Sequence, residues 1–447
     1  MPERRISSPP IVRSDSPMCG SRGDAQASEP RPRSATRSTR SRSSEAVTSA
    51  SSSSFTPSIP TITDSSSAAA AATTSSSSSL SISSIASLRG SLPEKPILFP
   101  SAEIAAATNN FLAKRISPSS SSSWRCSLRG HDTVVIQRSF RGDPAALRSR
   151  LAAVCKSHHR SIVRLLGASL SDDRIFLVYD FVAGASLADC LRNQRNPNFT
   201  PLSSWISRIQ VASDLAQGLE YIHDHSAGGG IVHNRIKSSA IIVTELHFNA
   251  MICHFGASFL AGEIPEEAST SRSKMNRVDS HLKKINGTRG YLAPEVVAGG
   301  VVSRRSDVFA LGVLLLELIS GEVPIKLKFD PVSKEYQSTS LIQMARDVFG
   351  EAGLEEEGTQ AAAESDLVEG RRMRIRQWVD RRLKDSFPVD VVEDLMGIAL
   401  RCVEVEAEKR PSMAWVQGKV SRLFLKSKVW AERVRPPADF SVSLAPR

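Results

Sequence analysis

No two cysteines in this 447-residue sequence have the spacing of a metal knuckle or a redox pair. Cys19, Cys126, Cys155, Cys190, Cys253 and Cys402 are scattered singly, with no CxxC and no Cys/His cluster. That argues against structural zinc and suits a reducing compartment, where lone thiols behave as small core hydrophobes. Long apolar runs are missing too. The longest, Val308 to Ile319, falls short of the ~20 residues needed to span a bilayer. The start, Met1-Pro2-Glu3-Arg4-Arg5, has no secretory pattern, and without Gly at position 2 myristoylation is excluded. An intracellular, cytoplasmic protein with no transmembrane span is the expectation. The net charge of +11 comes with no basic helix or aromatic–basic sheet, so nucleic acid is not an expected partner. It leaves room for acidic partners or peripheral contact at the plasma membrane.

The hydrophobic share of 40 % is unevenly spread. Residues 1–94 are Arg-, Ser- and Ala-rich, with runs such as Ser51–Ser54 and Ser75–Ser79. Such a segment buries too little apolar surface to offset its ordering entropy and is expected to be a disordered tail. Its composition is also that of an organelle transit peptide, although Glu3 and Asp15 come early for one. From Leu98 the texture changes. β-like runs (Thr133–Ile136, Ile162–Leu166, Ile175–Phe181) precede helical patterns (Trp205–His225, Val308–Ser320, Val391–Cys402). Strand-rich then helix-rich order predicts an α+β arrangement of two unequal lobes, an N-lobe with hinge over 95–182 and a C-lobe over 183–430. The polar, partly acidic stretch near 326–369 reads as a surface insertion, and 431–447 as a loose tail.

Several landmarks occur in one fixed order. Phe99-Pro-Ser-Ala-Glu103 precedes Ala107-Thr-Asn-Asn-Phe111; then come His158-His-Arg-Ser-Ile-Val-Arg-Leu-Leu-Gly167 and Leu177-Val-Tyr-Asp-Phe181. Gly287-Thr-Arg-Gly-Tyr-Leu-Ala-Pro-Glu295, Ser306-Asp-Val-Phe-Ala-Leu-Gly-Val313 and Lys409-Arg-Pro-Ser412 follow. Over residues 98–425 the set resembles the plant receptor-like protein kinase family, in texture closest to LysM-type receptor kinases. With no LysM region or span, the analogy is to receptor-like cytoplasmic kinases. The resemblance implies a bilobal protein-kinase fold, small and β-rich above, larger and helical below.

The chemistry that the family needs is altered at each position. The glycine loop aligns with Ile116 to Trp124, which contains no glycine, and close backbone approach to phosphate depends on the missing Cβ. The Val-Ala-Ile-Lys strand reads Val134-Val135-Ile136-Gln137, so a neutral Gln137 replaces the phosphate-anchoring lysine and Val135 replaces the alanine that faces adenine. Arg150 stands at the helix glutamate. The catalytic loop reads His233-Asn-Arg-Ile-Lys-Ser-Ser-Ala240, with Arg235 for the catalytic aspartate and Ala240 for the metal-binding asparagine; Lys237 is retained. His254-Phe255-Gly256 replaces Asp-Phe-Gly, and histidine is a poor ligand for hard magnesium. A general base alone is worth about 10²–10⁴-fold, and metal stabilisation of the transition state adds several kcal/mol. Little phosphotransfer should survive.

What remains is structural. By the resemblance, His233 and Phe255 pack in the regulatory spine, Gly256 completes the triplet, Asp307 holds the catalytic-loop backbone, and Glu295 pairs with Arg410. The expectation is a pseudokinase that acts as scaffold or allosteric partner of active receptor-like kinases or other signalling proteins. The alternative is a weak or atypical serine/threonine kinase using ATP. No cofactor or metal is expected. A nucleotide cleft around Val135, Tyr179, Asp180 and Val182 leaves ATP as a ligand without magnesium, because the substitutions make the cleft about four charge units more positive. The competing reading turns Arg150 and Arg235 to solvent or to local carboxylates. Ser269, Thr270, Ser271, Ser273 and Ser280 are candidate phosphoacceptors for a partner kinase.

Overall fold

β-Branched runs build the first half of the fold and long apolar helices the second. The structure, a computed structural model, describes residues 96–116, 122–193, 202–226, 230–245, 247–264, 287–330, 334–350 and 361–434. The N-terminal tail, the serine stretch 117–121, the candidate phosphoacceptors Ser269–Ser280 and the final residues lie outside the described residues.

The first lobe contains β1 (Ile97–Leu98), α1 (Ser101–Ala107), β2 (Ser123–Leu128), β3 (His131–Ser139), α2 (Pro144–Cys155), β4 (Leu165–Ser171) and β5 (Arg174–Asp180). The strands form one sheet in the order β1-β4-β5-β3-β2. β2 and β3 are joined by Arg129-Gly130, at φ of 52° and 80°, the left-handed pair that a two-residue hairpin turn requires. Ile162 is not in a strand of this sheet; it bridges Ile252 instead.

Side chains alternate across a strand, and β3 is buried on both faces. Val135 packs with Phe99, Ile104, Phe176 and Val178 under α1. Ile136 joins Leu147, Leu151 and Val154 of α2 in the main core. Asp143 caps α2, its carboxylate accepting from the Ala145 N–H at 2.9 Å.

The second lobe runs through β6 (Ala185–Ser186), α3 (Leu187–Arg192) and α4 (Trp205–Glu220), which continues as a π turn over Tyr221–His225. β7 (Ile241–Val243), β8 (Ala250–Ile252), α5 (Ala257–Leu260), α6 (Pro294–Val297) and α7 (Arg304–Ser320) follow. Then come β9 (Ile325–Asp330), β10 (Glu335–Ser340), α8 (Leu341–Phe349), α9 (Ala361–Trp378), α10 (Val389–Cys402) and α11 (Met413–Val434). Every residue of α7 from Ser306 to Ser320 is buried, as expected for a helix apolar all round. Gly321, at φ 73°, ends it in a left-handed cap.

The stretch 326–369 is not wholly a surface insertion. β9 and β10 make a hairpin that exposes Leu327, Phe329 and Tyr336, but α8 buries Leu341 and Ala345 completely. Two buried positions four residues apart are one face of a helix, and the polar flanks obscure that face in the sequence. No helix among the described residues is long and apolar enough to cross a membrane.

Candidate functional site

Asp307, in the first turn of α7, is the anchor of the loop 233–240. Its two carboxylate oxygens accept the backbone N–H groups of His233 at 2.7 Å and Asn234 at 2.8 Å, and one also meets His223 Nε2 at 3.0 Å. Asn234 sits at φ 62°, a conformation that asparagine tolerates better than most side chains. His233 accepts the Arg235 N–H at Nδ1, 3.2 Å away, which leaves Nε2–H to donate to the Cys253 carbonyl at 2.9 Å. Burial pushes this imidazole below its ordinary pKa, consistent with the neutral form that those two bonds need.

The positions that would carry chemistry are filled by other groups. A terminal guanidinium nitrogen of Arg235 lies 3.0 and 2.9 Å from the two oxygens of Glu263, so this arginine does turn to a local carboxylate. It has no acceptor atom and cannot take a proton from a hydroxyl. Ala240 is a buried methyl group. The His254 backbone is left-handed at φ 65°, and burial with the nearby Arg138 brings its imidazole down to about 3. Neither Ala240 nor His254 supplies a hard oxygen, so the residues present do not fit magnesium. Among the described residues no three His, Cys, Asp or Glu side chains gather as a metal site. Lys237 donates to Thr288 Oγ1 at 3.1 Å; burial, then Arg235 and Arg138, lower its pKa.

The β3 register corrects one reading. Val135 does not face the cleft: it stands opposite Val178 on the α1 side of the sheet, in the core described above. Its neighbour Val134 is the inward residue, opposite Tyr179, and packs against the main core. Parity then puts Arg138 on the inward face with Val134 and Ile136. At the end of the strand, Gln137 and Arg138 both line a polar pocket of about 350 Å³ with Ser122, Ser139, Arg141, Arg235 and Glu263. Arg150 is not among its lining residues; its guanidinium lies 5.4 Å from the centre of the Phe259 ring. The positive groups of this cleft are therefore Arg138, Arg141 and Arg235. Arg138, Arg141 and Glu263 escaped the motif comparison because the family pattern assigns them nothing. Parity places Arg138, two residues past Ile136, on the inward face only once the pairing with β5 is known.

Tyr179 is fully buried, and its hydroxyl donates to the Phe255 carbonyl at 2.8 Å. Asp180 is held by Arg164 at 2.8 Å, and Val182 is half-buried beside them. Farther down, Arg410 grips Glu295 with two bonds of 2.7 Å and donates to the carbonyls of Glu404, Arg305 and Val405.

The family model for the protein kinase domain matches residues 137–419. LysM domain receptor-like kinase 3 of Arabidopsis thaliana is 30 % identical over 340 residues, covering 75 % of this chain and 48 % of the relative. Chitin elicitor receptor kinase 1 of Arabidopsis thaliana is 31 % identical over 339 residues, with the same two shares. The chain thus spans about half the length of these curated relatives. The solved pseudokinase domain of BIR2, an immune regulator of the RLK/Pelle family, superposes with a TM-score of 0.53 at 22 % identity. That match covers 76 % of this chain and 94 % of that one, and likens the folds. On these landmarks, this lobe arrangement and these matches, the chain belongs to the protein kinase family, with relatives among the plant receptor-like kinases.

Proposed function

We propose that this chain is a pseudokinase, a kinase fold that signals by binding, as scaffold or allosteric partner of active receptor-like kinases. One observation carries the reading: at the position of the catalytic base, Arg235 is engaged with Glu263. The absence of oxygen ligands at Ala240 and His254 supports it. So does the intact frame around them, from Asp307 to the Glu295–Arg410 pair, since a decayed sequence would have no reason to keep structural positions while losing chemical ones. The kinase domains of the receptor kinases it matches are the partners that this reading favours. Its place is then the cytoplasm, with peripheral contact at the plasma membrane.

The test has two arms. The full chain is incubated with radiolabelled ATP, magnesium or manganese, and a generic acceptor, beside an active receptor-like kinase as reference. No transfer above background is expected. Purified receptor kinase domains are then titrated against the chain by biolayer interferometry, with saturable binding expected and unchanged by ATP. Transfer that disappears in Lys237→Ala would restore the weak-kinase reading.

A further inference from the structure

The last helix turns only one of its faces to the core. In α11, Met413, Val416, Val420, Leu423 and Ser427 are buried, at the three-and-four spacing of a single helix face. That face packs on α4, where the Trp205 indole N–H donates to Ser427 Oγ at 2.9 Å. The opposite face is exposed and of mixed character. Leu425 is 61 % exposed and Val429 47 %, one turn apart. Arg422, Lys426 and Arg433, all exposed, stand three or four residues from one or the other and so flank the pair. Along the whole helix five cations (Lys419, Arg422, Lys426, Lys428 and Arg433) face one carboxylate, Glu432. Lys426 reaches Asp394 of α10 at 3.3 Å, but both side chains are more than half exposed, and such a pair is weak. Near the start of the helix, Lys419 and Arg401 lie 5.5 and 5.7 Å from the centre of the half-buried Trp415 ring, which extends the basic face.

We propose that the outer face of α11 docks on an anionic phospholipid bilayer, with Leu425 and Val429 entering the headgroup layer and the cations meeting lipid phosphates and carboxylates. Aliphatic side chains set among long basic ones are the composition of an interfacial helix. Arginine and lysine lay their stems along apolar surface while their charges stay in the polar layer, so both halves of the face are satisfied at once. Charge complementarity favours an anionic leaflet, which attracts each cation near its surface. Shape favours a bilayer over a protein. The face is the outer ridge of one helix, and two aliphatic side chains fall far short of the roughly 1,000 Å² that a specific protein interface buries. A membrane is extended, and every cation along the ridge meets it.

The inference rests on the peripheral membrane contact proposed above and not on the loss of catalysis. Full-length protein is sedimented with vesicles of phosphatidylcholine alone and of phosphatidylcholine and phosphatidylserine in equal parts, at low and at physiological salt. Partition onto the anionic vesicles only is expected, weakened by salt. Arg422→Gln and Lys426→Gln should each lower the partition coefficient by about fivefold, and Leu425→Ser and Val429→Ser by severalfold, with the unfolding midpoint unmoved because all four positions are exposed. Arg174→Gln removes the same charge from β5 in the other lobe, where the side chain is 60 % exposed, and should leave partition as it was. Equal partition onto neutral vesicles would overturn the proposal, as would an equal loss in Arg174→Gln. Partition unchanged in the α11 variants would overturn it too, and would assign the binding to the arginine-rich first residues. Soluble polyglutamate that binds the chain, and binds Arg422→Gln more weakly, while vesicles bind neither, would assign the face to an acidic protein instead. Absent partition together with absent phosphotransfer removes the docking face and leaves the pseudokinase reading standing. Phosphotransfer with intact partition would remove that reading and leave the face.

Discussion

The hydroxyl of Tyr179, on β5, donates to the backbone carbonyl of Phe255 at 2.8 Å, so a residue of the small lobe holds the His-Phe-Gly triplet of the large one. Both residues are almost fully buried. Tyr179→Phe keeps the packing and deletes the bond. The expected cost is about 1–3 kcal/mol, that of stranding a buried polar group, read from urea unfolding. An unchanged midpoint would mean that the carbonyl finds another donor.

Gly256 is fixed by two demands at once. Its φ is 77°, and a Cβ there would lie 2.6 Å from Val154 Cγ1 on α2. Gly256→Ala is expected to destabilise by more than the ~1–2 kcal/mol of left-handed strain alone. Adding Val154→Ala should return part of that loss, leaving the backbone share. Strictly additive effects in the double variant would show that the two sites do not touch.

The fold was legible because its landmarks are local strings whose order is itself specific, from His158-His159 to Lys409-Arg410. The same strings are what set Gln137, Arg235, Ala240 and His254 against the kinase pattern. Two things were hidden. Thr133-Val134-Val135-Ile136 is apolar without alternation, so nothing in it says which residue faces the cleft; only the pairing with β5 decides. The arginine cluster arises from three separate segments, β3, its following turn and the catalytic loop, and tertiary proximity of that kind leaves no mark in a motif. The helix α8 was hidden too, its two fully buried residues set between polar runs.

Arg410 and Glu295 should respond unequally. The arginine side chain is 0 % exposed and the glutamate 27 %, and the arginine also satisfies three carbonyls. Arg410→Met strands them all and is expected to cost about 3–5 kcal/mol, the usual result of breaking a buried pair from one side. Glu295→Gln keeps an acceptor and should cost less than half as much. Equal losses in thermal or chemical unfolding would contradict the asymmetry.

Single reversions toward the kinase pattern should restore no activity. On the proposed reading, His254→Asp supplies one carboxylate, yet Ala240 still offers no ligand and Arg235 still occupies the position of the base. A base alone is worth about 10²–10⁴-fold, so Arg235→Asp without a metal site also falls short. Radiolabelled ATP assays on each variant should stay at background, and turnover from either one would show that the remaining groups are better placed than they look.

His254 gives the cleft a pH dependence whose sign can be worked out. Burial and the adjacent Arg138 hold its pKa at about 3 in the folded protein, against about 6.5 for an unperturbed histidine. Above that unfolded value both states are neutral there and the residue contributes nothing to pH dependence. As pH falls below it, the unfolded chain binds a proton that the folded chain refuses, so stability declines towards the folded value. By about pH 5 the loss from this group alone reaches about 2 kcal/mol, since each pH unit is worth about 1.4 kcal/mol. His254→Asn cannot titrate and tolerates the left-handed backbone of 65°. Unfolding free energies of the two proteins should therefore converge on acidification: wild type loses about 2 kcal/mol more than the variant between about pH 7 and pH 5. His233 is present in both and cancels. Parallel curves would mean that the imidazole is solvated enough to charge in place, and the cleft wetter than its packing indicates.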